Sequence, residues 1–209
     1  TGLISTLLRQ RLPFKLTAPQ ERALSEALAD MSRKIPMTRL LQGDVGSGKT
    51  VVAALAALAA VEAGWQVAFM APTELLAEQH RNKLTHWLAD LPITITWLTG
   101  SLPAAELRAA QAACASGESH IVIGTHALFQ KKVSFARLGL VVVDEQHRFG
   151  VEQRLQLRSR GQQDTARMLA PHQLMMSATP IPRSLAMSYY ADLDVSVIDE
   201  LPGGRQPIT

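Results

Sequence analysis

Along the chain, apolar positions fall into two kinds of block that alternate. Short β-rich runs occupy Thr38–Gln42, Gln66–Ala71, Ile93–Leu98, His120–Gly124, Gly139–Val143, His172–Ser177 and Asp194–Ile198. Between them lie longer stretches with apolar residues at helical spacing: Pro19–Arg33, Lys49–Ala63, Glu74–Ala89, Ala104–Ser116 and Pro182–Tyr190. Pro19 stands where a helix begins, with Thr17 or Ala18 ahead of it, and Gly64 where the next one stops. Leu140–Val143 is continuously apolar, the pattern of a strand buried on both faces. Strand and helix in repetition predict βαβ units. The fold class is therefore α/β, a doubly wound and mainly parallel sheet with helices on both faces.

Composition narrows the class but does not name a function. The chain has 209 residues, 47% hydrophobic and 19% charged, which excludes disordered and fibrous proteins. Its net charge of +3 permits nucleic-acid binding without arguing for it. The single cysteine, Cys114, excludes an intramolecular disulfide and a cysteine zinc cluster, and suits a reducing, cytoplasmic setting. The apolar run Val51–Val61 is too short to cross a bilayer and is expected to pack on the sheet, so no membrane partner is expected. The first residue is Thr1 rather than Met, which predicts a piece of something longer.

Chemistry enters at Gly43-Asp44-Val45-Gly46-Ser47-Gly48-Lys49-Thr50, which fits G-x-x-x-x-G-K-[ST] between a strand and a helix. Glycines there let consecutive N–H groups and a helix N-terminus face phosphate oxygens. Lys49 can neutralise β- and γ-phosphate charge, and the Thr50 hydroxyl can coordinate Mg²⁺. ATP and Mg²⁺ are the expected ligands. Such a site needs an acid at the end of a later buried strand, and Asp144 and Glu145 follow Leu140–Val143. Asp144 can hold Mg²⁺ through water, while Glu145 can orient or deprotonate the attacking water. The same pair also suits an N-cap followed by a first-turn acid. Ser177-Ala178-Thr179-Pro180 ends another strand-like run, where two hydroxyls can bond the carboxylates and sense the γ-phosphate. Taken alone, that stretch is equally a hydroxyl-rich turn before Pro180.

Together, Gly43–Thr50, Asp144-Glu145-Gln146-His147 and Ser177-Ala178-Thr179 resemble motifs I, II and III of superfamily 2 helicases. The stretches Asp144–Arg154, Met176–Arg183 and Asp199–Arg205 resemble the RecG group of bacterial branched-DNA helicases, with transcription-repair coupling translocases as near relatives. Two residues depart from that pattern, Ser184 in place of Thr and Gly203 in place of Pro. The resemblance implies a RecA-like domain over residues 1–193, with 194–209 as its last strand and the start of a connection to a second motor domain. It also implies that Glu145, Lys49 and Asp144 serve catalysis, and that His147, Ser177 and Thr179 couple hydrolysis to movement. By resemblance, Phe14–Gln20 reads adenine, with Gln20 on the base edge. Pro72 and Thr73, and Thr125 and His126, look like the DNA-facing motifs Ia and Ib. Both threonines also suit helix caps, and the two roles use the same orphan N–H groups. Arg148, Arg154, Arg158 and Arg160 suit a solvated face or a DNA contact.

The function implied is an ATP-driven motor that remodels stalled forks and Holliday junctions, completed by a second RecA-like domain and a wedge domain. The alternatives are a nucleotide-binding module with negligible hydrolysis as this chain stands, or the equivalent domain of a transcription-repair coupling translocase.

Overall fold

A computed structural model of the chain describes residues 2–144, 170–178 and 193–199. The described elements are α1 (Leu3–Arg11), α2 (Ala18–Met31), β1 (Thr38–Gly43), α3 (Lys49–Glu62), β2 (Gln66–Met70), α4 (Glu74–Leu88) and β3 (Ile95–Leu98). They continue with α5 (Ala104–Ser116), β4 (Ile121–Gly124), a 3-10 turn (His126–Phe129), β5 (Leu138–Asp144), β6 (His172–Ser177) and β7 (Asp194–Ile198). All seven strands pair in parallel in one sheet of order β3-β4-β2-β5-β6-β1-β7. The predicted helix Pro182–Tyr190 lies outside the described residues.

Side chains alternate between the two faces of the sheet, as the pleat requires. Leu41, Phe69, Ile123, Val142, Leu174 and Met176 face one core, which α1 to α4 cover. Leu40, Ala68, Val122, Val141, Val143 and Met175 face the other, where Ala110 and Cys114 of α5 pack. Helix α3 is apolar all round, with every residue from Val51 to Leu58 buried. Such a helix is stable only when enclosed, and α1 and α2 both pack against it, α2 also reaching β7. Cys114 is a core residue whose thiol is pushed up to about 11 by burial, so it is chemically quiet.

Two differences from the sequence reading concern helix starts. Thr17 caps α2, so the helix begins at Ala18 and Pro19 is its second residue. Helix α1 was not predicted, because Gly2 caps it without a side-chain bond. Its nine residues are too few to be stable alone. It is held from outside, by Glu62 accepting the Ser5 N–H at 2.8 Å and by Arg9 on both oxygens of Glu21 at 2.5 and 3.1 Å.

A buried ionic cluster fastens the β1 and β7 side of the sheet to α2. Arg39 donates to Asp30 Oδ2 through Nε and Nη2 at 3.0 and 2.8 Å, and through Nη1 to Glu26 and Ser196 at 3.1 and 2.9 Å. Removing one partner of such a pair strands the other's charge. Arg39→Met is expected to cost about 3 kcal/mol in urea unfolding. The exposed Arg33, 3.7 Å from Asp30, serves as control; Arg33→Met should cost less than about 0.5 kcal/mol.

His172 opens β6, and its Nδ1 accepts the Met37 N–H at 2.8 Å. Burial holds its pKa below the ordinary value, with Asp30 and a backbone bond to Met31 offsetting part of the effect. The unfolded chain therefore takes up a proton that the folded chain resists. This part of the stability is complete above about pH 6.5 and is lost as the pH falls below it. His172→Asn retains an acceptor but cannot titrate. Its urea-unfolding stability should fall less steeply than the parent's between pH 7 and 5.

Candidate active site

Strand β1 ends at Gly43, and the loop to α3 turns through two glycines in the left-handed region, Gly46 at φ 82° and Gly48 at φ 88°. Ser47 N donates to Asp44 O at 3.0 Å, closing the turn. Gly48 caps α3, so the orphan N–H groups of that helix's first turn open onto the loop. Lys49 Nζ lies along the loop, donating to Gly43 O at 2.6 Å and Asp44 O at 3.1 Å. Asp44, Val45 and Gly46 are exposed, Ser47 is buried, and Gly48, Lys49 and Thr50 are half-buried. The arrangement is a preformed anion cradle with a cation at its lip.

Gln20 lies under this cradle and is fully buried. Its Nε2 donates to Ser47 O at 3.1 Å and Gly48 O at 3.4 Å, while Oε1 accepts the Thr17 N–H at 2.9 Å. Thr17 in turn accepts from Gln20 N at 3.3 Å, completing a capping box at the start of α2. The sequence reading had this amide on a base edge. In the structure both its ends are engaged within the chain, and Gln20 braces the loop.

The topology sets the acid beside the loop. Strand β6 lies between β5 and β1, with Asp144 in register with Met176 and Gln42 with Ser177. The ends of β5 and β1 are thus about 10 Å apart across the sheet, with the buried Ser177 between them. Asp144 Oδ2 bonds His80 Nε2 at 2.5 Å. The donors fit a nucleotide-bound Mg²⁺: a hydroxyl at Thr50 and a carboxylate at Asp144 are hard oxygens, too few for a protein cage and suited to an ion that keeps its waters. Glu145, His147 and Thr179, with the arginines at 148, 154, 158 and 160, lie outside the described residues.

The remaining candidates lie on the other half of the same edge. Strands β2 and β4 pair up to Met70 and Gly124, and Ala71 N reaches Gly124 O at 3.0 Å. That pairing places Pro72 and Thr73 beside Thr125 and His126. Thr73 caps α4 by accepting the Leu76 N–H at 3.3 Å. Thr125 is buried and heads the 3-10 turn without a side-chain cap bond, and His126 is exposed. Ser101 donates to Glu74 at 2.9 Å and lies 3.2 Å from the buried Thr99, drawing the loop after β3 onto the start of α4.

His80 is the site residue that the sequence reading missed. The signal was present. Ala77, His80, Leu84 and Leu88 are the buried residues of α4, at helical spacing, so a histidine on an apolar face points inward.

These features define a P-loop nucleotide-binding domain. The DEAD/DEAH box helicase family matches residues 17–188, and the chain belongs to that family. It is 59% identical to the ATP-dependent DNA helicase RecG of Escherichia coli (strain K12), over 95% of this chain and 28% of that protein. It is 54% identical to that of Aquifex aeolicus, over 95% of this chain and 24% of that one. The chain therefore spans about a quarter of these relatives. A structure of RecG bound to a three-way DNA junction superposes with a TM-score of 0.84 at 44% identity, covering 100% of this chain and 27% of the other. The DEAD-box helicase Mss116, at 19% identity, TM-score 0.71 and 95% of this chain, shares the fold.

A Cβ at Gly48 would collide with Gln20 Nε2 and would sit on left-handed backbone. Gly48→Ala is expected to cost about 1–2 kcal/mol in urea unfolding. Titration with a fluorescent ATP analogue should show roughly tenfold weaker binding.

Proposed function

We propose that this chain is the first, ATP-binding motor domain of a RecG-like DNA helicase, which couples Mg-ATP hydrolysis to movement on duplex DNA and remodels forks and Holliday junctions. The observation that carries the reading is the single sheet edge holding the phosphate cradle, a strand-end acid two strands away and, further along, two threonine-bearing loops suited to a DNA backbone. The named RecG relatives support it over a transcription-repair coupling role.

In this reading the loop N–H groups and the start of α3 bind the phosphates, and Lys49 exchanges its loop carbonyls for β- and γ-oxygens. Thr50 and, through water, Asp144 would hold Mg²⁺, which would supply neutralisation of phosphate charge. Glu145 takes a proton from the water that attacks the γ-phosphorus as the bond to the β–γ bridging oxygen breaks. His147, Ser177 and Thr179 relay phosphate loss. Adenine contact by Gln20 requires its amide to exchange a present partner. Pro72, Thr73, Thr125 and His126 receive DNA phosphates. No described helix is long and apolar enough to cross a membrane; the one buried thiol suits a cytoplasmic protein.

Stabilising the transition state requires arginines that this reading places on a second RecA-like domain, while branch recognition falls to a wedge domain. Such arginines contribute about three to five powers of ten in rate. The isolated chain is therefore expected to bind Mg-ATP with negligible turnover, with or without forked DNA, and Lys49→Ala should abolish binding. Steady-state phosphate release checks this. DNA-stimulated turnover lost in Glu145→Gln would show that the site is complete within these residues.

A further inference from the structure

His80 lies outside the sequence motifs, yet its side chain contacts the acid of the candidate nucleotide site. It is the seventh residue of α4, 7% exposed, and its Nε2 is 2.5 Å from Asp144 Oδ2. Its neighbours on the buried face, Ala77, Leu84 and Leu88, are all apolar. A core histidine needing only a partner would ordinarily take a backbone carbonyl. This one instead reaches a carboxylate 64 residues away, at the edge where ligands of parallel sheets bind. The Phe69 ring lies against the imidazole, tilted by 47° with centroids 4.8 Å apart, and fixes its plane. Nδ1 is buried without a partner among the described residues, so a proton carried on Nε2 leaves no buried donor unsatisfied. A carboxylate at a strand end turns about two torsions. The Nε2–H bond takes one oxygen and stops that rotation, leaving Oδ1 for a metal's water shell.

We infer that His80 is a positioning residue for Asp144, holding the carboxylate in the orientation that Mg²⁺ requires; the inference rests on the reading of Asp144 as the acid of the nucleotide site. It acts as partners behind metal ligands do, where loss of the orienting bond commonly costs roughly ten- to a hundredfold in metal affinity. Its placement carries a consequence. Thr73, which caps α4, lies seven residues before His80, about 10 Å along the helix axis. The helix that begins at the candidate DNA loop therefore ends its second turn on the metal carboxylate, and a shift of α4 would reach Asp144 directly.

The test compares binding of a fluorescent ATP analogue to the 209-residue chain in Mg²⁺ and in EDTA. The variants are His80→Leu, His80→Gln and Asp144→Asn. His80→Leu is expected to lose about tenfold of the gain that Mg²⁺ gives, with EDTA affinity unchanged. His80→Gln, which keeps an N–H donor, should recover most of that gain. A purely structural role would lower both affinities in both His80 variants, and that result overturns the inference. So does full Mg²⁺ gain in His80→Leu alongside its loss in Asp144→Asn, an outcome that leaves the Asp144 reading standing. Full gain in Asp144→Asn removes that reading and the inference with it.

Discussion

A parallel sheet cannot be closed by tight turns, and that constraint organises everything else in this molecule. Each strand must be followed by a crossover long enough to carry the chain back, and each crossover leaves from the same edge. With all seven strands parallel, their C-terminal ends gather on one rim, whatever their distance in sequence. Burial of both faces explains why β2, β4 and β5 are apolar through their middles. Polar residues are admitted at the rim, where Asp144, Thr125 and Ser177 stand, or where they are fully paired, as Arg39 is.

Strand β1 is where stability and chemistry meet. It is flanked by β6 and β7, anchored through Arg39 to α2, and followed by the loop that ends on Gly48. Left-handed backbone at that loop needs support from its surroundings, and it has two supports. Helix α3 is buried from Val51 to Leu58, which anchors the turn that leads into it. Gln20 then ties the loop carbonyls to the start of α2. A cradle built this way is largely preformed for anions, which lowers the ordering cost of binding a nucleotide.

The strands were legible almost to the residue, because apolar runs of strand length recur between longer stretches of helical period; His172–Ser177 and Asp194–Ile198 match the predicted bounds. The glycine loop was equally clear as a turn from strand into helix, with Gly46 and Gly48 left-handed and α3 starting at Lys49. What escaped were features that depend on partners distant in sequence. Helix α1 exists because Glu62, Glu21 and Asp90 receive it, and no local signal encodes those contacts. Gln20 is different. Thr17-x-x-Gln20 is the capping-box pattern, and attention to a base-reading role passed over it. His80 was hidden by the strength of the motifs around it, although its place among Ala77, Leu84 and Leu88 marked it as inward-facing.

The sheet order also bears on how two ligands on one rim could influence each other. The candidate nucleotide half is built from β1, β6 and β5, and the candidate DNA half from β2, β4 and β3, with β5 and β2 paired at the boundary. Hydrogen-bonded strands deep in a core are poor movers, so the sheet itself is a weak channel for a signal. A helix lying across the boundary is a better one, because it can rock as a rigid body without breaking its own bonds. Helix α4 alone among the described helices starts at a candidate DNA loop and touches Asp144, the candidate acid of the nucleotide half. Its far end is the fixed one: Leu84, Leu88 and Leu91 are buried in the core there, and Asp90 accepts from Arg11 of α1 at 2.9 Å. Coupling between the halves is therefore expected to run through the orientation of this one helix rather than through deformation of the sheet.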